Sequence, residues 1–304
     1  MEPGPGLVDR RIDTRWVGFV IKRRLQLLKH RAYLAYKPYR FPVAGALEPA
    51  FRAAHRIKPV HFDPLDWPDT HLPHDEPLTR ETTEPIPRQI FCFWTGSNPL
   101  TENRRRSLDA IRRMNGDLDV RLITPATMDE FVVPEHPLHP AYEHLSLIHR
   151  SDYLRCYAMH VHGGGYADIK APFHPWTQTF ELMDRSSAWM AGYRVPVRLM
   201  TPNMTDPALE LVMRRCSELR LGQCSYICRP DTPLTKEWWR ELNLRLDHGL
   251  TELAAHPGNA RGDNADYPLQ LNEILAQIID PLEVKYRRHL LYSASLFVDH
   301  SNYL

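Results

Sequence analysis

From residue 89 onward the chain alternates between short apolar runs and longer amphipathic stretches, and few folds accept that rhythm. "QIFCFW" at 89–94 is brief, aromatic and β-prone, which predicts a buried strand. "TENRRRSLDAIRRMN" at 101–115 turns Leu108 and Ile111 to one side and has Gly116 beyond its end, so it predicts a helix. "DVRLIT" at 119–124 is a second strand. "HLSLIHRSDYLRCYAMHVHGGG" at 144–165 predicts a helix stopped by its glycines, after which "YADIK" re-enters as a strand end. "AWMAGYRV" and "CSYICR" continue as strands, and "PLTKEWWRELNLRL" and "LQLNEILAQII" as helices. Such alternation predicts an α/β fold, a mostly parallel central sheet flanked by helices.

Two zones precede this one. Residues 1–57 form a basic, helical extension. Val17, Ile21, Leu25, Leu28 and Ala32 share one face, with Lys22, Arg23, Arg24, Lys29 and Arg31 around the other. Two readings fit: a helix lying on an anionic membrane, favoured by Trp16 and Phe19, or a helix packed on the main domain with its basic side in solvent. Residues 58–86 are proline-rich and aperiodic, and predict an extended linker or wrap. Residues 87–304 are the expected catalytic domain.

Bulk properties narrow the function. The net charge of +1 over 304 residues gives no global field for nucleic acid. Five cysteines without a C-x-x-C pair exclude the usual zinc spacings and predict reduced, buried thiols. No apolar run is long enough to span a bilayer, and the start lacks a secretion signal's apolar core. A cytoplasmic protein is expected, with membrane contact at most peripheral.

In an open α/β sheet, ligands bind beyond the carboxyl ends of the strands. Trp94 ends the first strand there, followed by Thr95 and Gly96. Asp168 ends the strand after the triple glycine, and Asp152 and Arg155 lie between them at i,i+3 on one helix. An indole stacks on a flat base, carboxylates accept from sugar hydroxyls, and a guanidinium offers a rigid fork to phosphate or hydroxyl oxygens. Each residue also has a plainer account: a core tryptophan, a surface ion pair, a helix stop, a solvated lysine. Their ordered co-occurrence is what favours a nucleotide-sugar site. His149, His160, His162 and His174 surround the motif without zinc-like spacing, and His162 suits a helix C-terminus.

"IPRQIFCFWTG" and "HRSDYLRCYAMHVHGGGYADIK" resemble the glycosyltransferase family 32 and capsular polysaccharide synthesis group, and are similar to glucosylating-toxin catalytic domains. The group's pattern maps onto Ile86-Pro87, Trp94, Ser151-Asp152, Arg155, Gly164-Gly165, Tyr166 and Asp168. The resemblance implies a GT-A-type fold and a nucleotide-sugar donor. It implies Trp94 near the base, Asp152 and Arg155 on the donor sugar, and Asp168 on ribose or sugar. Thr95, Gly96, Gly164, Gly165 and Tyr166 complete the expected donor site. It also implies transfer of a hexose to a glycan hydroxyl, with retention, in capsule or surface polysaccharide synthesis. A protein acceptor and an inactive sugar-nucleotide-binding subunit are the alternatives.

The chain departs from the group at Lys170, where a second metal-binding aspartate is expected. A lysine there can meet the departing diphosphate without a metal, so no required cofactor is the expectation. The alternative keeps Mn²⁺ or Mg²⁺ on Asp168 with Asp299, His300 or Asn302 from the tail. Asn203, Asp263, Asn264 and Asp266 are acceptor-side candidates, though Asp263 or Asn264 can equally serve as a helix cap.

Overall fold

A computed structural model describes residues 40–78 and 84–300. The expectation of a basic helix over Val17–Ala32 lies outside the described residues. The chain divides into two compact units, Met1–Phe51 and Arg52–Leu304, and the sheet belongs to the second. A helix, α1 (Arg40–Ile57), runs across that division.

The alternation read from the sequence is present. The second unit runs β1 (Gln89–Phe93), α2 (Glu102–Met114), β2 (Asp119–Ile123), α3 (Met128–Phe131), α4 (Leu147–Tyr157) and β3 (Gly164–Ala167). It continues through α5 (Thr177–Asp184), β4 (Met190–Arg194), α6 (Pro207–Arg215), β5 (Leu221–Cys228), α7 (Pro233–Ala255), α8 (Ala276–Lys285) and β6 (Leu290–Tyr292). Side-chain caps begin several helices. Thr101 accepts from Arg104 N, Ser146 from His149 N and Asp206 from Ala208 N. Pro233 stands in the first turn of α7 behind a Thr232–Thr235 capping box.

The six strands form one sheet in the order β2-β1-β3-β5-β4-β6. β5 runs antiparallel to β3 and β4, and every other pairing is parallel. Five strands therefore share a direction and one is reversed, a mixed sheet flanked by helices. Both faces are covered. Phe91, Phe93, Tyr166 and Tyr226 point into one apolar cluster with α4, α7 and α8; Ile90, Cys92, Ala167 and Ile227 point into the other with α2 and α5. Burial on both sides explains why these strands read as continuous apolar runs.

Two local expectations are corrected, and one strand was not anticipated. The triple glycine does not merely stop α4. The helix first widens into a π-turn over Ala158–His162, and Gly164 and Gly165 already belong to β3. Gly164 has φ +93°, and a Cβ there would stand 2.8 Å from the Gln89 carbonyl oxygen, so only glycine lets β3 lie this close to β1. The last helix begins at Ala276 rather than near Leu269. β6 is too short, at three residues, to be distinguished in sequence.

Residues 58–78 wrap onto the unit. Phe62 and Leu72 are buried in the core, Glu76 N donates to Glu237 Oε1, and His71 Nε2 contacts Ile278 O at 3.3 Å. No helix among the described residues is long and apolar enough to cross a membrane.

Two histidines sealed into this packing set an acid limit. Burial lowers His71 and His160 from 6.5 to about 4 each, against weaker opposing pulls from Glu241 and Asp231. Their neutral forms favour the folded state fully above pH 6.5, and that contribution is lost as pH falls to about 4. Stability should therefore drop between these limits by up to about 1.4 kcal/mol per pH unit per histidine. Urea unfolding of His71→Gln across pH 4–7 should show a shallower slope than the parent chain.

Candidate active site

The carboxyl ends of β1 and β3 lie side by side. Phe91 pairs with Tyr166, so two residues later Phe93 and Asp168 are level, and Trp94 follows at the same sheet edge. Trp94 is half-buried. It leans on the apolar cluster below, and its Nε1 donates to Asn98 O at 2.6 Å. Thr95 Oγ1 donates to Leu147 O at 2.7 Å, tying the loop after β1 to the start of α4. A Cβ at Gly96 would stand 2.4 Å from Asn98 Oδ1, the end of an exposed side chain that can swing aside, and 3.1 Å from Leu147 Cδ1.

α4 brings Asp152 and Arg155 to this edge. Arg155 Nη2 lies 3.2 Å from Asp152 Oδ1 and 3.6 Å from Asp168 Oδ1, while Nη1 donates to Gln223 O at 2.9 Å. The guanidinium also sits over the Tyr166 ring, 4.4 Å from its centroid. Its Nε is sealed from solvent and makes no hydrogen bond. Asp168 is the hub. Tyr166 OH donates to its Oδ1 at 2.5 Å and Lys170 Nζ to its Oδ2 at 2.8 Å. Lys170 Nζ also approaches Cys224 Sγ at 3.0 Å.

The charges follow from these contacts. Burial alone would raise the Asp168 carboxyl, but Lys170, Arg155 and the two hydrogen bonds outweigh it and hold it at about 2. Burial works against the Lys170 ammonium, yet Asp168 and Cys224 more than restore it, so it is raised and stays protonated at neutral pH. Burial raises Asp152, opposed by Arg155 and His149. The result is an alternating series of acids and cations, Asp152, Arg155, Asp168 and Lys170, at the sheet edge where Trp94 follows β1.

The other expected residues are spread more widely. Gly164 and Gly165 lie at the opposite end of β3 from Asp168 and pack on Gln89, Ile90 and Trp176, where they shape the strand. Tyr166 is only 2% exposed, so it supports Arg155 and Asp168 from beneath. The tail returns to the site. Asp299 N donates to Ala171 O at 2.9 Å, and Phe297 stacks on Phe173. His300 is lowered by burial and by Lys170, with Asp168 and Asp299 pulling the other way. Asn302 lies outside the described residues.

Asp263 and Asn264 hydrogen-bond within their own loop, to Asn259 Nδ2 and Asn259 N. Asp266 is exposed in the same loop. That loop rests on the start of α4, where Tyr267 OH meets Ser146 N and His149 Nδ1. Asn203 offers its carbonyl to Gln277 Nε2 at 3.4 Å, away from the Asp168 cluster. Among the described residues no three His, Cys, Asp or Glu side chains converge as metal ligands. Gln223 was not signalled by any motif, and Cys224, where a looser stretch of the resemblance over Cys224–Pro230 begins, had no role assigned; both reach the site because β5 pairs with β3.

No protein-family model matches this chain, and no curated protein matches its sequence. Among solved structures it is similar to the PaToxG glycosyltransferase, at 13% identity and a TM-score of 0.35, over 58% of this chain. The match spans 66% of that structure's chain, just under two thirds of its length.

The Tyr166 hydroxyl has a measurable share in Asp168. Because the carboxyl is depressed, its stabilising contribution is complete above the ordinary 3.8 and disappears as pH falls toward about 2. Tyr166→Phe should keep the ring under Arg155, raise the Asp168 titration seen by carboxyl ¹³C NMR, and cost about 1 kcal/mol in urea unfolding at pH 7.

Proposed function

We propose that this protein is a glycosyltransferase that moves a hexose from a nucleotide sugar to a glycan hydroxyl, in capsule or surface polysaccharide synthesis. The observation that carries the reading is Arg155 Nη2 lying between Asp152 and Asp168, with Trp94 at the same sheet edge. A nucleoside diphosphate sugar needs these groups together: a flat apolar face for the base, carboxylates for hydroxyls, and fixed positive charge for the diphosphate.

In this reading Trp94 stacks on the base. Asp168, held ionised, accepts from ribose or sugar hydroxyls, and Asp152 with Arg155 orients the sugar. Charge grows on the diphosphate as the glycosidic bond breaks, and a preorganised cation is worth most in such a water-poor setting. Lys170 supplies that cation. The ammonium 2.8 Å from Asp168 already balances the carboxylate that a divalent ion would use, and repels such an ion. The residues present therefore do not suit Mn²⁺ or Mg²⁺, and metal-independent transfer is proposed. Retention is part of the proposal: the hydroxyl enters on the face the diphosphate leaves, through an oxocarbenium-like state. The basic stretch near the N-terminus would bring the enzyme to lipid-linked acceptors.

A thermal-shift panel of nucleotide sugars, each with and without Mn²⁺, tests the donor reading, because a ligand of the folded state raises its melting temperature. One donor should stabilise the chain equally in both conditions. Lys170→Met should retain donor binding and lose about 10²–10³-fold in turnover. EDTA should leave turnover unchanged. Failure of every nucleotide sugar to bind would refute the donor site; loss of turnover in EDTA would refute the metal-free chemistry.

A further inference from the structure

The Gln223 carbonyl that accepts from Arg155 Nη1 stands on a part of β5 with little ladder to hold it. β3 pairs with β5 from Ser225 to Cys228 and no further. β4 pairs over 226–228, loses register, and meets β5 again at Leu221. Gly222, Gln223 and Cys224 therefore face no residue in the register of either neighbour. Asp168 N donates to Cys224 O at 2.7 Å, and Tyr193 packs on Gly222 and hydrogen-bonds Cys224. The stretch matters because it carries contacts to both cations of the candidate site. Besides the Gln223 carbonyl for Arg155, it presents Cys224 Sγ 3.0 Å from Lys170 Nζ.

Leu221 and Gln223 are held from α8. Asp280 and Glu283 stand at i,i+3 on that helix and are 1% and 0% exposed. Glu283 Oε2 accepts from Leu221 N at 2.7 Å and Oε1 from Gln223 Nε2 at 2.8 Å. Gln223 Nε2 also lies 3.3 Å from Asp280 Oδ1. Asp280 is paired in turn with the buried Arg220, whose Nη2 donates to Thr201 Oγ1 at 2.6 Å. Both hydrogen bonds to the Glu283 carboxyl thus come from β5. Sealing a carboxyl away from water is costly. A leucine of similar size would avoid that cost, but would leave Leu221 N without its acceptor and the Gln223 side chain without its hold.

We propose that Glu283, with Asp280 beside it, is a positioning residue for the candidate site: through the Gln223 side chain it fixes the stretch of β5 whose main-chain carbonyl aims Arg155. The contacts run in order from Glu283 to Gln223, from Gln223 to Arg155, and from Arg155 to Asp168 and Asp152. Glu283 itself is wholly buried and touches no ligand; it acts through Gln223. That Arg155 then orients a donor sugar rests on the glycosyltransferase proposal; the aiming of Arg155 does not.

The test is hydrogen exchange of the Arg155 guanidinium protons, followed by ¹⁵N NMR on the full chain at neutral pH without nucleotide. Glu283→Gln keeps the volume but can accept from only one of the two donors. Gln223→Met cuts the same tether from its other end and keeps the main-chain carbonyl. Each should speed Arg155 Nη exchange about tenfold, the effect of a hold weakened by one hydrogen bond. Glu237→Gln, at an equally buried acid that pairs with Lys285, is the comparator: it should lower the urea midpoint and leave Arg155 exchange unchanged. Should Glu283→Gln fail to fold, Gln223→Met decides. With a nucleotide sugar that the chain binds, the tether variants should lose about tenfold in kcat, with KM within about twofold of the parent. The inference is overturned if Arg155 exchange or kcat keeps its parent value in the tether variants, or if Glu237→Gln speeds the exchange equally. Faster exchange in a chain that binds no nucleotide sugar would uphold the positioning and refute the donor reading.

Discussion

The structure around the candidate site depends on keeping one partly buried carboxylate charged. The Asp168 side chain is 23% exposed, and burial by itself pulls its carboxyl upward. Two cations within 4 Å reverse the balance, each contributing on the order of a few kcal/mol at the effective dielectric of such sites. The Tyr166 hydroxyl completes the shell. A carboxylate so held is a fixed acceptor and needs no reorganisation when a ligand arrives.

The partners of Asp168 come from separate parts of the chain, which makes the fold itself part of the site. Arg155 comes from α4 and is aimed by the Gln223 carbonyl of β5. Lys170 comes from the residues just past β3 and lies against Cys224 of β5. The reversed β5 strand thus supports both cations from below. Its close fit to β4 requires a glycine at 222, where a Cβ would stand 1.9 Å from the Tyr193 ring. The tail seals the other side, with Val298 bridging Pro172 and His300 feeling the charges of Lys170 and Asp168.

Much of this was legible in one dimension. β1, β2 and α2 were readable because a short apolar run and a 3.6-residue pattern differ sharply. The sheet-edge placement of Trp94 and Asp168 followed from parallel strands sharing a carboxyl end. The triple glycine misled, because a helix stop and a strand pressed against its neighbour call for the same residue. The lead-in to α8 misled too: Leu269 and Ile274 are apolar because they enter the core from a turn, not because they line a helix.

What the amino-acid order determined alone was local: where strands and helices form, which way their apolar sides turn, and that an acid and a guanidinium stand one turn apart. Only the tertiary structure decided that Lys170 turns back onto Asp168, that Tyr166 lies beneath Arg155 and Asp168, and that β5 runs against its neighbours. The physical reason is that propensity and periodicity act over a few residues. The charge state of a buried group is set by whatever distant segments pack within a few ångströms of it.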